Sequence, residues 1–440
     1  MHTARPLYPL LLSALLTLLI ITGARSQAQE KPKLKDFGSS LKKLTWDPTL
    51  DQAVLSKSKS KSKSNTKATD DDVVRVETSL VVTDLLVLDA HGNVVSGLTE
   101  KDFAISEDGR PQKVGMFSLG DNVALPRSVV LIIDYSASQF PYIHTSIEAA
   151  KAMVDKLPAG DHLAIVTDDV ELIQDFTNDK KILKKKLDSL LKRTAYHSFG
   201  ISEHRHFGRS WQYSALMATL NEAFNNEDQR PIVIFQTDGD ELAELRNPPA
   251  HPLPPPGIEY KLPPAVLKRM KAKPPNFSLD DLCRAAERAR VTIYSIVSGI
   301  QYFGLPPEEQ RKRHLIMWKE YWEAISRAGL PGSEDAQRQI EQEPAPEVLK
   351  YGIDSLVWSQ SALSVVATAT GGATMFLENS SQADEIYSRI FSDINRRYLI
   401  GYYPTNKDHD GQRRKINIEV RGHPDYTIVC RRGYYAPRPD

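Results

Sequence analysis

From residue 125 onward, short apolar runs alternate with segments whose apolar residues recur every three or four positions. The runs are typical of buried parallel strands, and the periodic segments are typical of amphipathic helices. The predicted strands are Ser128–Ile133, Leu163–Val166, Pro231–Gln236, Val291–Val297 and Ala373–Phe376. The predicted helices are His144–Leu157, Lys180–Leu191, Ser214–Phe224, Leu279–Ala289, Ala362–Thr370 and Ala383–Arg396. Residues 125–396 are therefore predicted to form an α/β domain, with a doubly wound, mostly parallel sheet that helices cover on both faces.

Two segments with strand-like patterns, 74–120 and 398–440, flank this domain. Their connections are too short to contain helices, which predicts antiparallel pairing. Units of three or four short strands seldom stand alone, and the two ends of an α/β domain often lie close together. We therefore expect both segments to pack into one small β module. Its predicted strands are Leu80–Leu88, Val94–Val95, Phe103–Ser106, Val114–Phe117, Tyr398–Tyr403, Lys415–Val420 and Thr427–Arg431.

Two insertions interrupt the α/β pattern, at 248–275 and at 301–355. The first is rich in proline, which excludes a helix or a central strand and predicts a surface excursion. The second contains a helical stretch whose aromatic and apolar residues fall on one face, and we expect that face to cover core rather than to bind a ligand. These residues are Trp318, Tyr321, Trp322 and Ile325.

The N-terminal residues 1–28 have the pattern of a signal peptide, because a basic residue precedes the apolar run Leu10–Ile21 and small residues follow it. That run is shorter than the about 20 residues that a spanning helix needs, and no later stretch approaches that length. We expect a mature chain without a transmembrane span that is secreted, periplasmic or on the cell surface. Residues 29–73, in which Ser56–Ser64 alternates serine with lysine, are predicted to be a flexible tether.

Composition excludes two classes of protein. The 56 basic and 56 acidic side chains cancel, so charge does not favour a nucleic-acid partner. The 41% hydrophobic content is ordinary for a globular protein and argues against disorder of the whole chain. The only cysteines, Cys283 and Cys430, can form at most one disulfide; we expect two separate buried thiols, and a bridge between the final strand and the α/β domain is the alternative.

Oxygen-bearing side chains follow two of the predicted strands. Asp134, Ser136 and Ser138 come directly after the first strand, and Asp238 follows the third, beside a glycine that permits a tight turn. Open α/β sheets bind ligands at the carboxyl ends of their strands. Carboxylate and hydroxyl oxygens suit Mg²⁺, Mn²⁺ or Ca²⁺ better than zinc. The sequence therefore predicts a divalent-metal site at this edge of the sheet.

With this Asp-x-Ser-x-Ser pattern and the later Thr237–Gly239, the sequence resembles the von Willebrand factor type A domain and its metal-ion-dependent adhesion site. More narrowly, residues 74 to 437 resemble a family of exported acidobacterial proteins called von Willebrand factor type A-related. The segments that carry the narrower resemblance are Val81–Thr83, Phe103, Asp175–Thr177, Gly401–Tyr403 and Arg432–Tyr435.

The resemblance implies a metal site that binds protein. Mg²⁺ keeps water ligands when it binds, and one of them can be exchanged for an acidic side chain of a protein partner. The family usually supplies a further threonine in a loop that reads roughly Gly-Gly-Thr-x-Leu, whereas this chain has Gly208–Gln212. Ser210 is the candidate for that ligand, since it keeps a hydroxyl. The expected metal ligands are thus Asp134, Ser136, Ser138, Ser210 and Asp238.

Two other function classes remain open. In a metal-dependent hydrolase, Asp134 and Asp238 would hold a catalytic ion and His162 or His204 would act as base. The sequence has no Gly-x-Ser-x-Gly elbow, no His-Glu-x-x-His and no phosphate-binding loop, which favours a protein that is not an enzyme. A structural scaffold that has lost metal function is the other class.

Three histidines, His197, His204 and His206, lie within ten residues of one another and could hold a transition metal. No cysteine is nearby and an arginine separates two of the three. We expect a solvated loop here.

Overall fold

The structure is a computed structural model that describes residues 80–119, 127–139, 142–198, 211–224, 230–253, 255, 275–328 and 333–436, with the backbone of two further strands. These strands, β1 (Leu44–Asp47) and β2 (Gln52–Leu55), pair antiparallel as a hairpin inside the segment predicted to be a tether. The predicted signal peptide, the rest of that tether and most of the proline-rich insertion lie outside the described residues. Over the described part of the chain, no helix combines the length and the apolar character that crossing a membrane requires.

The described residues also form fourteen more strands and eight α-helices, joined by loops and short 3₁₀ turns. The strands are β3 (Val81–Leu88), β4 (Phe103–Glu107), β5 (Arg110–Gln112), β6 (Val114–Leu119), β7 (Arg127–Ile133), β8 (His162–Thr167), β9 (Leu172–Thr177), β10 (Arg230–Gln236), β11 (Thr292–Ser298), β12 (Thr374–Leu377), β13 (Tyr398–Tyr402), β14 (Arg413–Val420), β15 (Thr427–Cys430) and β16 (Gly433–Tyr435). The helices are α1 (Ile143–Lys156), α2 (Lys180–Ser198), α3 (Gln212–Glu222), α4 (Leu279–Ala289), α5 (Pro307–Ala328), α6 (Ser333–Glu341), α7 (Pro346–Ala369) and α8 (Ala383–Asn395).

Six strands form the central sheet, in the order β12-β11-β10-β7-β8-β9. All neighbouring pairs are parallel except β8 and β9. Counted along the chain, this is the order 3-2-1-4-5-6 of a doubly wound sheet, whose winding direction reverses between β7 and β10. The predicted α/β architecture is confirmed.

Helices cover both faces of this sheet because its central strands are apolar on both sides. In β7, Val129, Leu131 and Ile133 belong to a core that also contains residues of α1, α2 and α8. Val130 and Ile132 belong to a second core, with residues of α3, α4 and α7. Alternate residues of a strand point to opposite faces, so one apolar run serves both cores.

The two flanking segments form one β-sandwich, as predicted. One sheet has the order β15-β3-β13-β6 and the other β16-β14-β4-β5, so each contains strands from both ends of the chain. Every pair of strands in them is antiparallel. Strand β14 alternates exposed and buried residues, and its buried side chains join a core shared by both sheets.

Several elements differ from the sequence prediction. The predicted strand Val94–Val95 is only a single bridge between Leu88 and Val94, and the short strands β5 and β16 were not predicted. Strand β9 was not predicted, because only Ile173 among its residues is buried and the alternation is weak. This antiparallel strand closes the edge of the sheet beside β8. Helix α7 begins at Pro346 rather than Ala362 and runs from the second insertion into the domain without a break. Proline at the first helical position is compatible with this start, since that position needs no N–H donor.

The aromatic face of the second insertion packs partly as expected. Trp318 and Trp322 are half-buried, and the Trp318 Nε1 donates to the Gln339 carbonyl at 3.0 Å, which ties α5 to α6. Tyr321, by contrast, is 46% exposed. The Ile325 side chain lies outside the described part of the chain.

Both cysteines are free, as expected. Cys283 lies on α4 and packs against the core that α3, α4 and α7 share. Cys430 ends β15 and packs against the sandwich core. Burial raises the pKa of each thiol to about 11, so neither is a reactive thiolate at neutral pH.

Deleting residues 398–440 should unfold the N-terminal strands 80–119 while leaving the α/β domain folded. The deletion removes β13, β14, β15 and β16, so one sheet keeps only the unpaired strands β3 and β6 and the other keeps only the pair β4–β5. Limited proteolysis with mass spectrometry would show early cleavage within 80–119 in the truncated protein. Peptides from 143–198 serve as the internal control and should stay protected. Unchanged resistance of 80–119 would contradict joint folding of the two segments.

Candidate metal centre

Four of the five residues predicted as ligands, Asp134, Ser136, Ser138 and Asp238, lie near the junction of β7 and β10. These strands pair in register, with Ile133 opposite Gln236, and the Asp134 N–H donates to the Gln236 carbonyl at 2.9 Å just beyond the last pair. Asp134 and Thr237 are therefore neighbours across the sheet edge. The Thr237 hydroxyl donates to Asp134 Oδ2 at 2.8 Å.

The loop after β7 folds around the Asp134 carboxylate. The Ser136 N–H donates to Asp134 Oδ1 at 2.9 Å, which closes an Asx-type turn. The short 3₁₀ turn Ala137–Gln139 follows and brings the Ser136 and Ser138 hydroxyl oxygens to 3.1 Å from each other. Ser138 is exposed and Ser136 is half-buried, so both hydroxyls lie at the surface end of the loop. The Asp-x-Ser-x-Ser residues thus form one compact cluster of oxygen atoms.

Two glutamine amides hold Asp238 in this cluster. Gln139 Nε2 donates to Asp238 Oδ2 at 2.7 Å, and Gln212 Nε2 donates to Oδ1 at 3.4 Å. The backbone N–H of Asp240 also donates to Oδ1, at 3.1 Å. Because Gln139 belongs to the loop after β7, its amide links that loop to the carboxylate that follows β10.

Gln212, the first residue of α3, ties a third segment to the same edge. Its side chain is fully buried, which is unusual for glutamine. Its Oε1 accepts from the Gly239 N–H and lies beside the Thr237 hydroxyl, and its Nε2 also donates to Asp240. This single amide therefore contacts the residues on both sides of Asp238.

The electrostatics of the cluster are those of crowded carboxylates. Asp134 is 1% exposed, and burial, followed by the charge of Asp238, raises its pKa to about 7 against the opposing effect of hydrogen bonds from Ser136 and Thr237. Like charges that raise a carboxyl pKa at a strand end are typical of a site that accommodates a cation.

The residues present fit a divalent hard cation. Carboxylate, hydroxyl and amide oxygens converge, and Gln139 Oε1 is buried without a hydrogen-bond partner among the described residues. Within the described ranges, no three His, Cys, Asp or Glu side chains group as a metal cluster.

The structure does not describe every predicted ligand. Ser210 lies outside the described residues, as do His204 and His206 and the side chain of His197. His162 is described and begins β8, opposite Ser128. Five residues of strand, about 16 Å, separate it from the end of the sheet that carries Asp134. His162 is thus too distant to act as a base at this cluster.

Sequence reasoning missed three polar side chains of the site: Gln139, Gln212 and Asp168. Asp168, buried after β8, accepts from the Tyr135 N–H through Oδ1 at 3.1 Å. One signal was present, since Gln139 directly follows the last serine of the motif and Gln212 opens a helix whose neighbours are apolar. Polar side chains at such positions are normally buried only where they form hydrogen bonds.

Gly239 supports the position of Asp238. Its φ is +78°, a conformation that L-residues rarely adopt, and a Cβ built there would lie 3.0 Å from the Leu363 side chain and 3.0 Å from the Ser359 carbonyl. Helix α7 therefore packs directly under the turn that carries Asp238.

Gly239→Ala should lower the free energy of unfolding by about 1–3 kcal/mol, because the left-handed backbone and the contact with α7 both oppose a methyl group. Gly304→Ala is the matched control: its φ is +81°, and nothing lies within 4 Å of its built Cβ. The free energy of unfolding of this control should fall by about 1 kcal/mol, because only the left-handed backbone conformation opposes the methyl group there. Urea unfolding of both variants measures the difference, and equal losses would contradict close packing of α7 under Gly239.

Neither a protein-family model nor a curated protein matches the chain. Among solved structures, the von Willebrand factor domain of the type V pili tip protein Mfa5 from Porphyromonas gingivalis matches with 15% identity, covering 62% of this chain and 98% of that chain, at a TM-score of 0.32. A von Willebrand factor type A structure from Catenulispora acidiphila matches with 12% identity over 77% of this chain and 74% of that chain, at a TM-score of 0.30. The manganese-loaded TRAP protein of Plasmodium vivax matches with 11% identity, covering 77% of this chain and 100% of that chain, at a TM-score of 0.31. These scores are low, so the fold assignment rests on the strand order of the central sheet.

Proposed function

We propose that this chain is an exported protein-binding module whose metal site accepts a carboxylate from a protein partner. Asp134, Ser136, Ser138 and Asp238 would hold Mg²⁺ or Mn²⁺, with Ser210 as a further ligand. The observation that carries the proposal is the meeting of Asp134 and Asp238 with two serine hydroxyls at one sheet edge. Export rests on the signal-peptide pattern of residues 1–28.

The hydrogen bonds of Asp238 favour an indirect role for this residue. Both of its oxygens accept from neighbours, Oδ2 from Gln139 and Oδ1 from Gln212 and Asp240. A carboxylate engaged in this way suits contact with the ion through a water better than direct coordination. Asp134 would then be the main direct negative ligand, and the bound ion would remain electrophilic. A bound Mg²⁺ or Mn²⁺ keeps waters that a carboxylate can replace, so an acidic partner side chain fits this site.

Calorimetric titration of the full chain with MnCl₂ or MgCl₂ should give saturable binding that Asp134→Asn abolishes. This substitution keeps the shape of the side chain and removes the negative charge that faces the ion. Ser138→Ala should weaken binding less, because one neutral oxygen is lost. Asp425→Asn is the matched control, since Asp425 is an exposed aspartate in the turn between β14 and β15. This variant should bind the metal as the unmodified chain does.

A second measurement tests the open coordination position. Water-proton relaxation of the Mn²⁺ complex should fall when a short peptide with one glutamate is added, and a peptide with glutamine instead should leave it unchanged. Metal binding without any effect of the glutamate peptide would contradict the carboxylate-accepting role. Binding that persists in Asp134→Asn would contradict the site itself.

A further inference from the structure

Four arginines converge where the β-sandwich meets the α/β domain, at the end of the sheet opposite Asp134. Arg230 begins β10, Arg290 follows α4, Arg397 precedes β13 and Arg431 follows β15. Arg230 Nη2 lies 2.9 Å from Asp84 Oδ1, and the charge of Asp84 also acts on Arg397 and Arg431. We call these four side chains the junction arginines.

Strand register explains why Arg431 belongs to this group. Cys430 pairs with Leu85 on β3, so the next residue, Arg431, continues opposite Asp84. Residues opposite each other on antiparallel strands share a face, which places Arg431 on the same face as Asp84. Arg431 Nη2 donates to a carbonyl of β3, and its Nε lies 3.4 Å from the Thr83 hydroxyl.

The packing at the junction is close. Gly371, which precedes β12, has φ +78°, and a Cβ there would lie 2.8 Å from the Cys430 Cα. Arg397 Nη2 donates to the carbonyl of this glycine. Arg397 and Arg431, which adjoin this contact, are only 2% and 7% exposed, and Arg290 is half-buried.

The carboxylates at the junction do not balance this charge. Asp84 pairs with Arg230, and Asp393 Oδ2 lies 3.4 Å from Arg397 Nη2. Over the described ranges, no carboxylate forms an ion pair with Arg290 or Arg431. Burial, followed by the positive charge of Arg290, lowers the pKa of Arg431 to about 10. A buried guanidinium without a counter-charge is costly, and two of them side by side are more so.

Several buried N–H groups also have no acceptor. Arg397 Nε and Nη1 and Arg431 Nη1 make no hydrogen bond to any part of the chain that the structure describes. Buried polar groups normally find a partner, and a charged donor without one costs more than a neutral donor does. Arg431 thus combines a buried N–H without an acceptor with the absence of an ion-pair partner among the described residues.

We propose that the junction arginines bind a small doubly charged oxyanion of the phosphate or sulfate class, held between the β-sandwich and the α/β domain. Guanidinium groups bind such oxygens through parallel N–H donors. The N–H groups without an acceptor at the junction belong to guanidinium groups. Enclosure restricts the ligand to a small ion. The anion would stabilise the packing of the sandwich against the domain, because Arg431 belongs to the first and Arg290 to the second.

Thermal unfolding of the full chain at constant ionic strength tests this proposal. Sodium phosphate or sodium sulfate, exchanged for sodium chloride, should raise the Tm in proportion to concentration below the Kd and with its logarithm above the Kd. Calorimetric titration of sulfate into the unmodified chain should give binding of one ion. Arg431→Gln and Arg431→Lys should both weaken this binding by at least about tenfold, because the lysine keeps the charge but loses the paired donors.

Arg413→Gln is the matched control. Arg413 forms a bidentate pair with Glu287 between β14 and α4, so it joins the same two parts of the molecule but is not one of the junction arginines. Its variant should keep the full response to sulfate. Absence of saturable binding to the unmodified chain would overturn the proposal even if no Arg431 variant folds. An equal rise of Tm with sodium acetate would overturn the doubly charged class, and an undiminished response of both Arg431 variants would overturn the location.

Discussion

The parallel pairing of β7 with β10 is the constraint on which the candidate site depends. Both strands are buried along nearly their whole length, and their register puts Ile133 opposite Gln236. Asp134 and Thr237 then emerge side by side at the carboxyl edge. A slip of two residues would keep the same faces buried but would separate these side chains by about 6.6 Å. The buried register thus sets the geometry of the oxygens at the surface.

Two glutamine amides hold the polar side chains at this edge in position. The three segments that meet at the edge are the loop after β7, the first turn of α3 and the turn after β10, and hydrophobic packing alone would not align their polar side chains. Gln139 and Gln212 each donate to Asp238, and Gln212 also accepts from the Gly239 N–H. Hydrogen bonds in a low dielectric are directional, so they give a specific arrangement where apolar contacts would tolerate several.

The two ends of the central sheet carry opposite excesses of charge. At the carboxyl edge, burial and the neighbouring Asp238 raise the pKa of Asp134. At the amino edge, burial and the neighbouring Arg290 lower the pKa of Arg431. Both shifts have the same origin, since a low dielectric penalises like charges that lack a counter-ion. A divalent cation at one end and a divalent anion at the other would relieve them. The proposed sites are separated by the length of the strands, so each can be tested without disturbing the other.

The sequence by itself determined the architecture and the core of the site. Continuous apolar runs and helical periodicity are local patterns, and they predicted the α/β domain, the flanking strands and the Asp-x-Ser-x-Ser loop. Tertiary structure alone decided the rest. Strand β9 is too exposed to show an alternation of apolar and polar residues. It forms a strand because it pairs with the edge of β8. Gln139 and Gln212 meet at Asp238, and Arg230 and Arg431 meet at Asp84, from distant parts of the chain. Such meetings depend on strand order and register, which no local pattern encodes.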